Sequence, residues 1–448
     1  MSYISGSADF TTTVGKLNRA QHGSNSAPIL SSRKFLKYDE EFKRMNFYSN
    51  RTHDWALWND GQRMIDTYYI FPLMHLDPAD PWNYYFAPSD EIINMTRSLG
   101  GRIFYRLGAS IEHSGDVHFN SLVPEDFDKY AEVLAGIVRH YRKGWANGYE
   151  YDDMEYWEIW NEPDLGTNMW TGTREEFVRL FVTVLKRLKS EFPEIKVGGP
   201  GLCGFNPDYF TDILNACREA GVAPDFISWH VYGSDVEWSA AFPQKGRDLL
   251  DSLGFHDTEI SINEWHYVVT WDGIAFCDSP ACRYRAFGGE TGLGNIDSGV
   301  YNLALLAEWQ KTPLDTAFYY GARPIGVWGF MTEDRGWNKN FFSMEIFGEI
   351  MKEYTARVET SSNKKSIHLL GSLSEDGKKA NLLVADYRGQ DFTVNIEVKG
   401  LENAKRVSAI VLDNDRDNAV TDVIWHNNIL TLSKQKAGSA AFSVTFEL

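Results

Sequence analysis

The sequence lacks an excess of basic residues. Lys and Arg total 44 against 62 Asp and Glu, so the formal net charge is −18 over 448 residues. Binding to nucleic acid needs a basic surface, and so does attraction to an anionic membrane, so neither partner is expected. The sequence also lacks a run of about 18 consecutive apolar residues, which argues against a transmembrane helix.

Cysteines are few, and no targeting segment is visible. The most closely spaced of the four cysteines, Cys277 and Cys282, do not form a C-x-x-C motif, so we expect no zinc site and leave open whether the two are bridged. The first residues, MSYISGSADF, have neither the basic nor the apolar region of a signal peptide. The chain is therefore expected to be cytoplasmic, or to be a periplasmic or secreted protein whose signal has been removed. Neither a metal nor another cofactor is predicted, and the oligomeric state stays open.

What the sequence does contain is an alternation of strand-like and helix-like segments from residue 12 to residue 356. Eight largely apolar runs, typical of strands buried on both faces, lie at 11–17, 44–50, 102–108, 156–161, 195–200, 225–232, 259–265 and 316–322. Helical patterns separate them, and Thr173 and Glu176 form a capping box before one of these helices. The alternation predicts an α/β fold, a (β/α)8 TIM barrel over residues 12–356. An open doubly wound sheet is the alternative, which the absence of G-x-G-x-x-G after the first strand disfavours.

The pattern changes after about residue 360. Short strands follow one another there, separated by turn-forming segments such as SEDG and NDRDN. They predict an antiparallel β-sandwich over residues 357–448, to which residues 1–11 add a strand. Because no low-complexity linker separates the two parts, we expect them to pack closely.

Two strands of the predicted barrel end in a glutamate. The fourth strand ends in WNEPD with Glu162, and the seventh ends in INEW with Glu264. Active sites of such barrels lie at the carboxyl ends of the strands, so both glutamates should project into one mouth. A retaining glycosidase needs such a pair about 5–5.5 Å apart, because one carboxyl group protonates the leaving oxygen while the other attacks the sugar carbon. This geometry alone does not decide which glutamate has which role.

Several segments together match one known pattern. They are WEIWNEPD, GKLN at 15–18, RTHD at 51–54, DPADPWNYYFAPSDEIINMTRSLG at 77–100, YRLG at 105–108, WHVYG at 229–233 and INEW at 262–265. The chain resembles glycoside hydrolase family 39, the family of β-xylosidases and α-L-iduronidases, over the whole barrel. The resemblance implies that Glu162 is the general acid/base and Glu264 the nucleophile of a retaining glycosidase. It also implies β-xylosyl or arabinosyl-type plant glycans as substrates.

The resemblance assigns substrate-binding residues as well. Asn161 matches a residue that donates a hydrogen bond to the sugar 2-hydroxyl. His230 and Tyr232 match a pair on strand six beside the nucleophile. His53 matches a sugar-binding histidine after strand two, where Asp54 follows it.

Aromatic residues in predicted loops could provide surfaces for sugar rings. Trp271 lies in the long segment 265–297 after the nucleophile strand, which we expect to wall an exo-acting pocket. Further candidates for the mouth are Trp170, Trp337, Arg19 and His22, whereas Trp328 is expected to pack against the end of the barrel.

The segment after strand eight departs from the β-xylosidase pattern. Xylosidases of family 39 carry acidic residues there, but this chain has TAFYYGARPIG with Tyr319, Tyr320 and Arg323. We expect Arg323 and the tyrosines to contact the substrate, which favours decorated oligosaccharides over a simple aryl xyloside. A structural ion pair behind the strand is the alternative role for Arg323.

Three other functions compete with the exo-acting glycosidase. An endo-acting polysaccharide hydrolase of the same family is the main alternative. A non-catalytic carbohydrate-binding barrel would be expected to lack one of the two carboxylates. A metal-dependent barrel hydrolase would need a motif such as H-x-H on strand one, which reads GKLN here. The first two share with the main prediction an oligosaccharide or polysaccharide as partner.

Overall fold

The described residues form a closed eight-stranded barrel and a second, ten-stranded sheet. The computed structural model describes residues 3–26, 38–53, 65–109, 121–167, 169–271, 292–322, 324, 328–331 and 336–448. The first strand, β1 (Gly6–Lys16), belongs to the second sheet, and the barrel strands are β2 (Gly23–Asn25), β3 (Ser49–Arg51), β4 (Arg102–Leu107), β5 (Tyr156–Ile159), β6 (Lys196–Leu202), β7 (Phe226–Gly233), β8 (Glu259–Tyr267) and β9 (Thr316–Tyr319). Neighbouring barrel strands are parallel, and β9 pairs with β2 to close the barrel. The predicted (β/α)8 barrel is confirmed.

Helices surround the barrel. They are α1 (Asp39–Met45), α2 (Thr67–Ile70), α3 (Ala87–Ser98), α4 (Phe127–Lys143), α5 (Arg174–Glu191), α6 (Pro207–Glu219), α7 (Val236–Ala240), α8 (Phe242–Ser252), α9 (Ile296–Trp309) and α10 (Lys339–Glu353). Helix α5 illustrates why they form, since Phe177, Leu180 and Val184 lie on one buried face and the predicted Thr173–Glu176 capping box is present. None of the described helices combines the length and the apolar character needed to cross a bilayer.

The first barrel strand lies later in the chain than the sequence pattern predicts. Most of the run at 11–17 belongs to β1, which pairs with strands of the second sheet, and the barrel starts only at β2. The last six residues of β1 are exposed, whereas β2 is three buried residues, Gly-Ser-Asn, without any hydrophobic signal. Arg19 and His22 therefore precede the first barrel strand and lie at its amino end, away from the predicted mouth.

The second sheet takes strands from both ends of the chain. Its later strands are β10 (Ala356–Ser362), β11 (Ile367–Leu373), β12 (Lys379–Asp386), β13 (Thr393–Lys399), β14 (Arg406–Leu412), β15 (Ala419–Thr421), β16 (Ile424–His426), β17 (Ile429–Ser433) and β18 (Ala440–Glu447). Strand β1 lies between β10, to which it is antiparallel, and β13, to which it is parallel. Strands β16 and β18 are far apart in the strand order, yet the rings of Trp425 and Phe446 on them are 5.5 Å apart. The sheet therefore folds over on itself around one core, as a β-sandwich does.

The second sheet packs against α9 and the carboxyl end of β8. In the loop after β12, Arg388 donates from Nε to Asp297 Oδ2 at 2.9 Å and from Nη2 to the Tyr267 hydroxyl at 2.8 Å. The neighbouring Tyr387 donates its hydroxyl to the carbonyl oxygen of Ser234 at 2.6 Å. Since Tyr267 is the last residue of β8, the second sheet directly supports the strand predicted to carry the nucleophile.

Truncation of Phe446 tests the folded-over sheet. Phe446→Ala should lower the free energy of unfolding by about 3–5 kcal/mol, because it empties a fully buried site in the core of the sheet. Phe392→Ala is the matched control, since that ring is 59% exposed and its loss should change stability by no more than about 0.5 kcal/mol. Urea denaturation followed by circular dichroism measures both variants, and equal losses would contradict the packing described here.

Candidate active site

The barrel interior is layered, because alternate residues of each strand point inwards. The layer nearest the amino ends is aromatic and consists of Phe104, Tyr156, Phe226 and Phe318. The next layer is polar and fully buried, and consists of Asn25, Arg51, Glu158, Ser228 and Asn263. The layer at the carboxyl ends contains His53, Glu162, His230 and Glu264. An apolar floor thus supports a buried polar layer, on which the predicted catalytic residues rest.

Glu162 follows β5 on a backbone turn that few residues other than glycine adopt. Trp160 and Glu162 have φ angles of +74° and +47°, and such left-handed conformations cost about 1–3 kcal/mol each. The amide of Glu162 donates to the carbonyl oxygen of Gly201 at 2.8 Å, which holds the turn. Gly201 has φ +64°, and a Cβ there would lie 2.7 Å from Asn263 Nδ2, so no larger residue fits. The turn places the Glu162 carboxyl group in the mouth.

A β-bulge on β8 brings Glu264 into the same space. The pairing of β8 with β7 shifts after Ile262, which leaves Asn263 as an extra residue. As a result, two consecutive side chains point inwards. Asn263 Nδ2 donates to Glu158 Oε1 at 2.7 Å. Glu264 Oε1 accepts from Arg51 Nη1 at 2.8 Å.

The carboxylates of Glu162 and Glu264 face each other beside His230. Oxygen atoms of the two glutamates and a ring nitrogen of the histidine all lie within 4.8 Å of one another. His230 Nδ1 is 2.9 Å from Glu162 Oε1 and 3.3 Å from Glu264 Oε2. Retaining glycosidases keep their carboxyl groups about 5–5.5 Å apart and inverting ones about 6.5–9.5 Å, so this spacing is closer to the retaining arrangement.

Glu264 is nearly buried and surrounded by polar groups. Its Oε1 lies 2.8 Å from His53 Nε2 as well as from Arg51, and its Oε2 accepts from the Tyr232 hydroxyl at 2.7 Å. Burial by itself would raise the pKa of Glu264. The positive charges of His230, His53 and Arg51 outweigh burial and hold this pKa well below its usual value of 4.5. Glu264 is thus an oriented, ionised carboxylate.

Arg51 is the centre of the polar layer beneath the two carboxylates. Its Nε donates to Glu158 Oε2 at 2.5 Å, and its Nη1 donates to Asn25 Oδ1 at 3.0 Å in addition to Glu264. Its Nη2 donates to Asn161 Oδ1 at 2.7 Å, which fixes the amide plane of the residue predicted to bind the sugar 2-hydroxyl. The Arg51 side chain therefore orients both Glu264, the predicted nucleophile, and Asn161, which lies after β5.

Comparison with known proteins indicates a glycosidase family. Residues 75–245 match the sequence model of the family described as Glycosyl hydrolases family 39. Over these residues, which include part of the barrel, the chain is similar to glycosyl hydrolase family 39. A curated β-xylosidase from Geobacillus stearothermophilus is 31% identical over 176 residues, which are 37% of this chain and 34% of that enzyme. The match thus spans about a third of the length of the curated relatives.

Two solved structures share the fold over the whole chain. A glucosidase from Croceicoccus marinus has a TM-score of 0.79 at 20% identity, and each chain is covered to 100%. A monomeric β-xylosidase from Caulobacter crescentus has a TM-score of 0.70 at 13% identity, again with 100% of each chain covered. At these identities the likeness concerns the fold, a barrel joined to a second sheet.

The structure brings together most of the residues that the sequence predicts for the site. Asn161, His230, Tyr232 and His53 surround the Glu162–Glu264 pair. Asp54 and Arg323 lie outside the described residues, as do Cys277 and Cys282.

An aromatic wall, made of Tyr232, Trp271, Tyr320 and Trp328, rises beside the two carboxylates. The ring of Tyr232 lies 5.3 Å from Trp271, 5.7 Å from Trp328 and 6.4 Å from Tyr320. Trp271 is 54% exposed, so its ring is accessible from solvent beside Tyr232. Its contact with substrate stays a prediction. Trp328 belongs to this wall rather than to the packing of the barrel end, because it follows β9 on the carboxyl side.

Three other candidates belong to the core. Trp170 is buried against Phe177 of α5, and Trp337 stacks on a phenylalanine of α10. Tyr319 is fully buried, with its hydroxyl 2.7 Å from His266 Nε2. Phe318, the residue before Tyr319, points into the barrel, so Tyr319 points out of it. The next residue, Tyr320, reaches the site.

Sequence reasoning missed the polar layer, above all Arg51, Glu158 and Asn263. Their signal is a charged or amide side chain inside a run that is otherwise buried. Glu158, for example, stands between the buried Trp157 and Ile159. Such a residue requires a partner, because burying an unpaired charge is costly.

Among the residues that the structure describes, one group could hold a metal ion, namely Glu162, His230 and Glu264. Arg51 and His53 already bring positive charge to Glu264, which disfavours another cation there. The absence of a metal requirement stays a prediction.

The low pKa of Glu264 predicts a pH-dependent contribution to stability. Its folded-state pKa lies below 4.5, so its ionisation stabilises the native state above that pH, and this contribution is lost as the pH falls through the folded-state pKa. The stability of the wild type relative to Glu264→Gln should be constant above about pH 5 and decrease at lower pH. Urea denaturation of both proteins between about pH 3 and pH 7 measures the difference. A difference that is constant throughout, or grows towards acid pH, would show that the Glu264 pKa is not lowered.

Proposed function

We propose that this chain is a family 39 retaining glycosidase that acts by double displacement. The observation that carries the proposal is the approach of Glu162 and Glu264 to within 4.8 Å, since an inverting enzyme leaves about 6.5–9.5 Å for a water molecule. Glu264 is the nucleophile, because it is held ionised by surrounding cations. Glu162 is the general acid/base, because its side chain is the more exposed of the two, 13% against 5%, and can reach a leaving group.

The reaction proceeds in two steps. In the first, Glu264 attacks the anomeric carbon and forms a glycosyl ester, while the bond from that carbon to the leaving oxygen breaks and Glu162 gives this oxygen its proton. In the second, Glu162 takes a proton from water, whose oxygen displaces Glu264 from the sugar. Both glutamates then return to their starting states.

Two neighbours assist this cycle. The Tyr232 hydroxyl donates to Glu264 Oε2, and burial together with the Glu264 charge raises the pKa of Tyr232 well above 10, so the hydroxyl stays a donor. His230 Nδ1 lies within reach of both carboxylates and interacts with whichever is charged at each step.

The proposed substrate is a β-xylosyl or arabinosyl residue at the end of a plant glycan. The curated relative that matches part of this chain is named a β-xylosidase, which supports this choice. The aromatic wall offers stacking surfaces for sugar rings and closes one side of the mouth, which favours exo action. Endo-acting hydrolysis of a polysaccharide is the alternative.

Removal of each carboxylate tests the two roles. Glu264→Ala and Glu162→Ala should each lower kcat for aryl glycosides by about 10²–10⁴-fold, and azide should restore turnover of both. In Glu264→Ala, azide attacks from the vacated side and gives a glycosyl azide of inverted configuration. In Glu162→Ala, azide attacks the glycosyl ester and gives the retained configuration. Proton NMR of the products distinguishes the two.

Glu349→Ala provides the control, since this glutamate is 61% exposed on α10 and its loss should leave kcat unchanged. An inverted sugar as the first product of the wild type would rule out double displacement. Loss of activity on treatment with EDTA would favour a metal-dependent hydrolase instead.

Trp271 should contribute to substrate binding. Trp271→Ala should raise KM for the best substrate by about 10-fold, because it removes a stacking surface, with little change in melting temperature. Trp82→Ala is the matched control, since Trp82 is 93% exposed and lies outside the aromatic wall. The substrates for comparison are aryl β-D-xyloside, aryl α-L-arabinofuranoside, decorated xylo-oligosaccharides and xylan. Cleavage of xylan without any activity on aryl glycosides would exclude the exo-acting assignment.

A further inference from the structure

A third carboxylate, that of Glu158, lies beneath the catalytic pair and has no part in the two-step mechanism. Its side chain has no exposed surface. Its Oε1 accepts from Ser228 Oγ at 2.6 Å and from Asn263 Nδ2 at 2.7 Å, and its Oε2 accepts from Arg51 Nε at 2.5 Å. These contacts hold Glu158 in one place and direct its charge at the guanidinium.

Arg51 places a single positive charge between two carboxylates. Its Nε faces Glu158, and its Nη1 lies 2.8 Å from Glu264 Oε1. The guanidinium is completely buried and stays protonated at any pH the protein tolerates. A buried cation needs a counter-ion, and in the free enzyme Arg51 has two.

We propose that Glu158 is a positioning residue, the counter-ion that remains with Arg51 when Glu264 becomes an ester. This inference rests on the proposed double displacement. On attack, a lone pair of Glu264 forms the bond to the anomeric carbon, and the leaving oxygen takes the electrons of the broken bond and the proton of Glu162. Glu264 is then neutral, and without Glu158 the buried guanidinium would pair with no carboxylate among the residues that the structure describes.

The same geometry limits how tightly Arg51 holds the nucleophile. Because Glu158 shares the charge of Arg51, the free carboxylate of Glu264 is not stabilised by the whole of it. Without the charge of Glu158, the free carboxylate would be held more strongly and the ester would sit beside an unpaired cation. Both effects slow formation of the ester. Both also make Glu264 a better leaving group, so breakdown of the ester should not slow.

Measurement of ester formation and breakdown separately tests this role. The probe is 2,4-dinitrophenyl 2-deoxy-2-fluoro-β-D-xyloside, or its β-D-glucosyl counterpart, which traps the ester of a retaining enzyme. Glu158→Gln keeps the shape of the side chain and removes its charge. Trapping should be about 100-fold slower than in the wild type, whereas the rate at which the trapped enzyme regains activity should be the same or higher.

Two further variants complete the design. Glu158→Asp keeps the charge but retracts it from Arg51, so trapping should be slower than in the wild type by no more than about 10-fold. Asp386→Asn is the matched control, because Asp386 is a buried carboxylate paired with Lys434 in the second sheet at 2.5 Å. Its loss should lower stability and leave both rates unchanged.

Each outcome is decisive. Two results with Glu158→Gln would overturn the role of Glu158 and leave double displacement intact. One is trapping at the wild-type rate, and the other is an equal slowing of trapping and of reactivation. A wild type that hydrolyses the aryl glycoside of the same sugar but forms no covalent adduct with the matching probe overturns double displacement, and this inference with it. If Glu158→Gln does not fold, the rates of trapping and of reactivation are measured for Glu158→Asp instead. Trapping of Glu158→Asp at the wild-type rate would then overturn the proposal.

Discussion

A buried guanidinium governs the arrangement of the active end of the barrel. Arg51 is out of contact with solvent, so its donors have to be matched by acceptors from other strands. Asn25, Glu158 and Glu264 come from β2, β5 and β8, and Asn161 lies two residues after the end of β5. A single side chain thus connects strands from opposite sides of the barrel and fixes the orientation of the nucleophile.

Two departures from regular backbone make this arrangement possible. Side chains of a regular strand alternate between the two faces, so adjacent residues cannot both point into the barrel. The bulge at Asn263 removes this restriction and lets Glu264 join the polar layer from above. The left-handed turn at Trp160 and Glu162 does the same for the end of β5, with Gly201 leaving the space. Backbone irregularity thus occurs at both places where the two carboxylates have to converge.

The parts of the structure that could be predicted from the sequence are those with a local pattern. Buried strands such as β5 and β7 are rich in apolar and aromatic residues, and Glu162 and Glu264 stand at strand ends within recognisable motifs. Strand β2 could not be predicted, because it has three residues and none is a large apolar one. The pairing of Arg51 with Glu158 was equally hidden, since 107 positions separate them and neither has a partner nearby in the sequence. Partners that meet only through barrel closure leave no periodic signal.

The position of β1 has a consequence for biosynthesis. This strand is made before the other strands that the structure describes, and its neighbours β10 and β13 begin only at Ala356 and Thr393. From Lys16 to Ala356 the ribosome adds 340 residues (356 − 16), which takes roughly 17–68 s at about 5–20 residues per second. All the barrel strands, up to β9 (Thr316–Tyr319), are made in that interval, while neither β10 nor β13 is yet present to pair with β1. An uncovered strand in that state can pair with other chains. The last six residues of β1 are solvent-exposed in the folded protein and include threonines and a lysine. This polar composition favours solubility of the strand while it is unpaired.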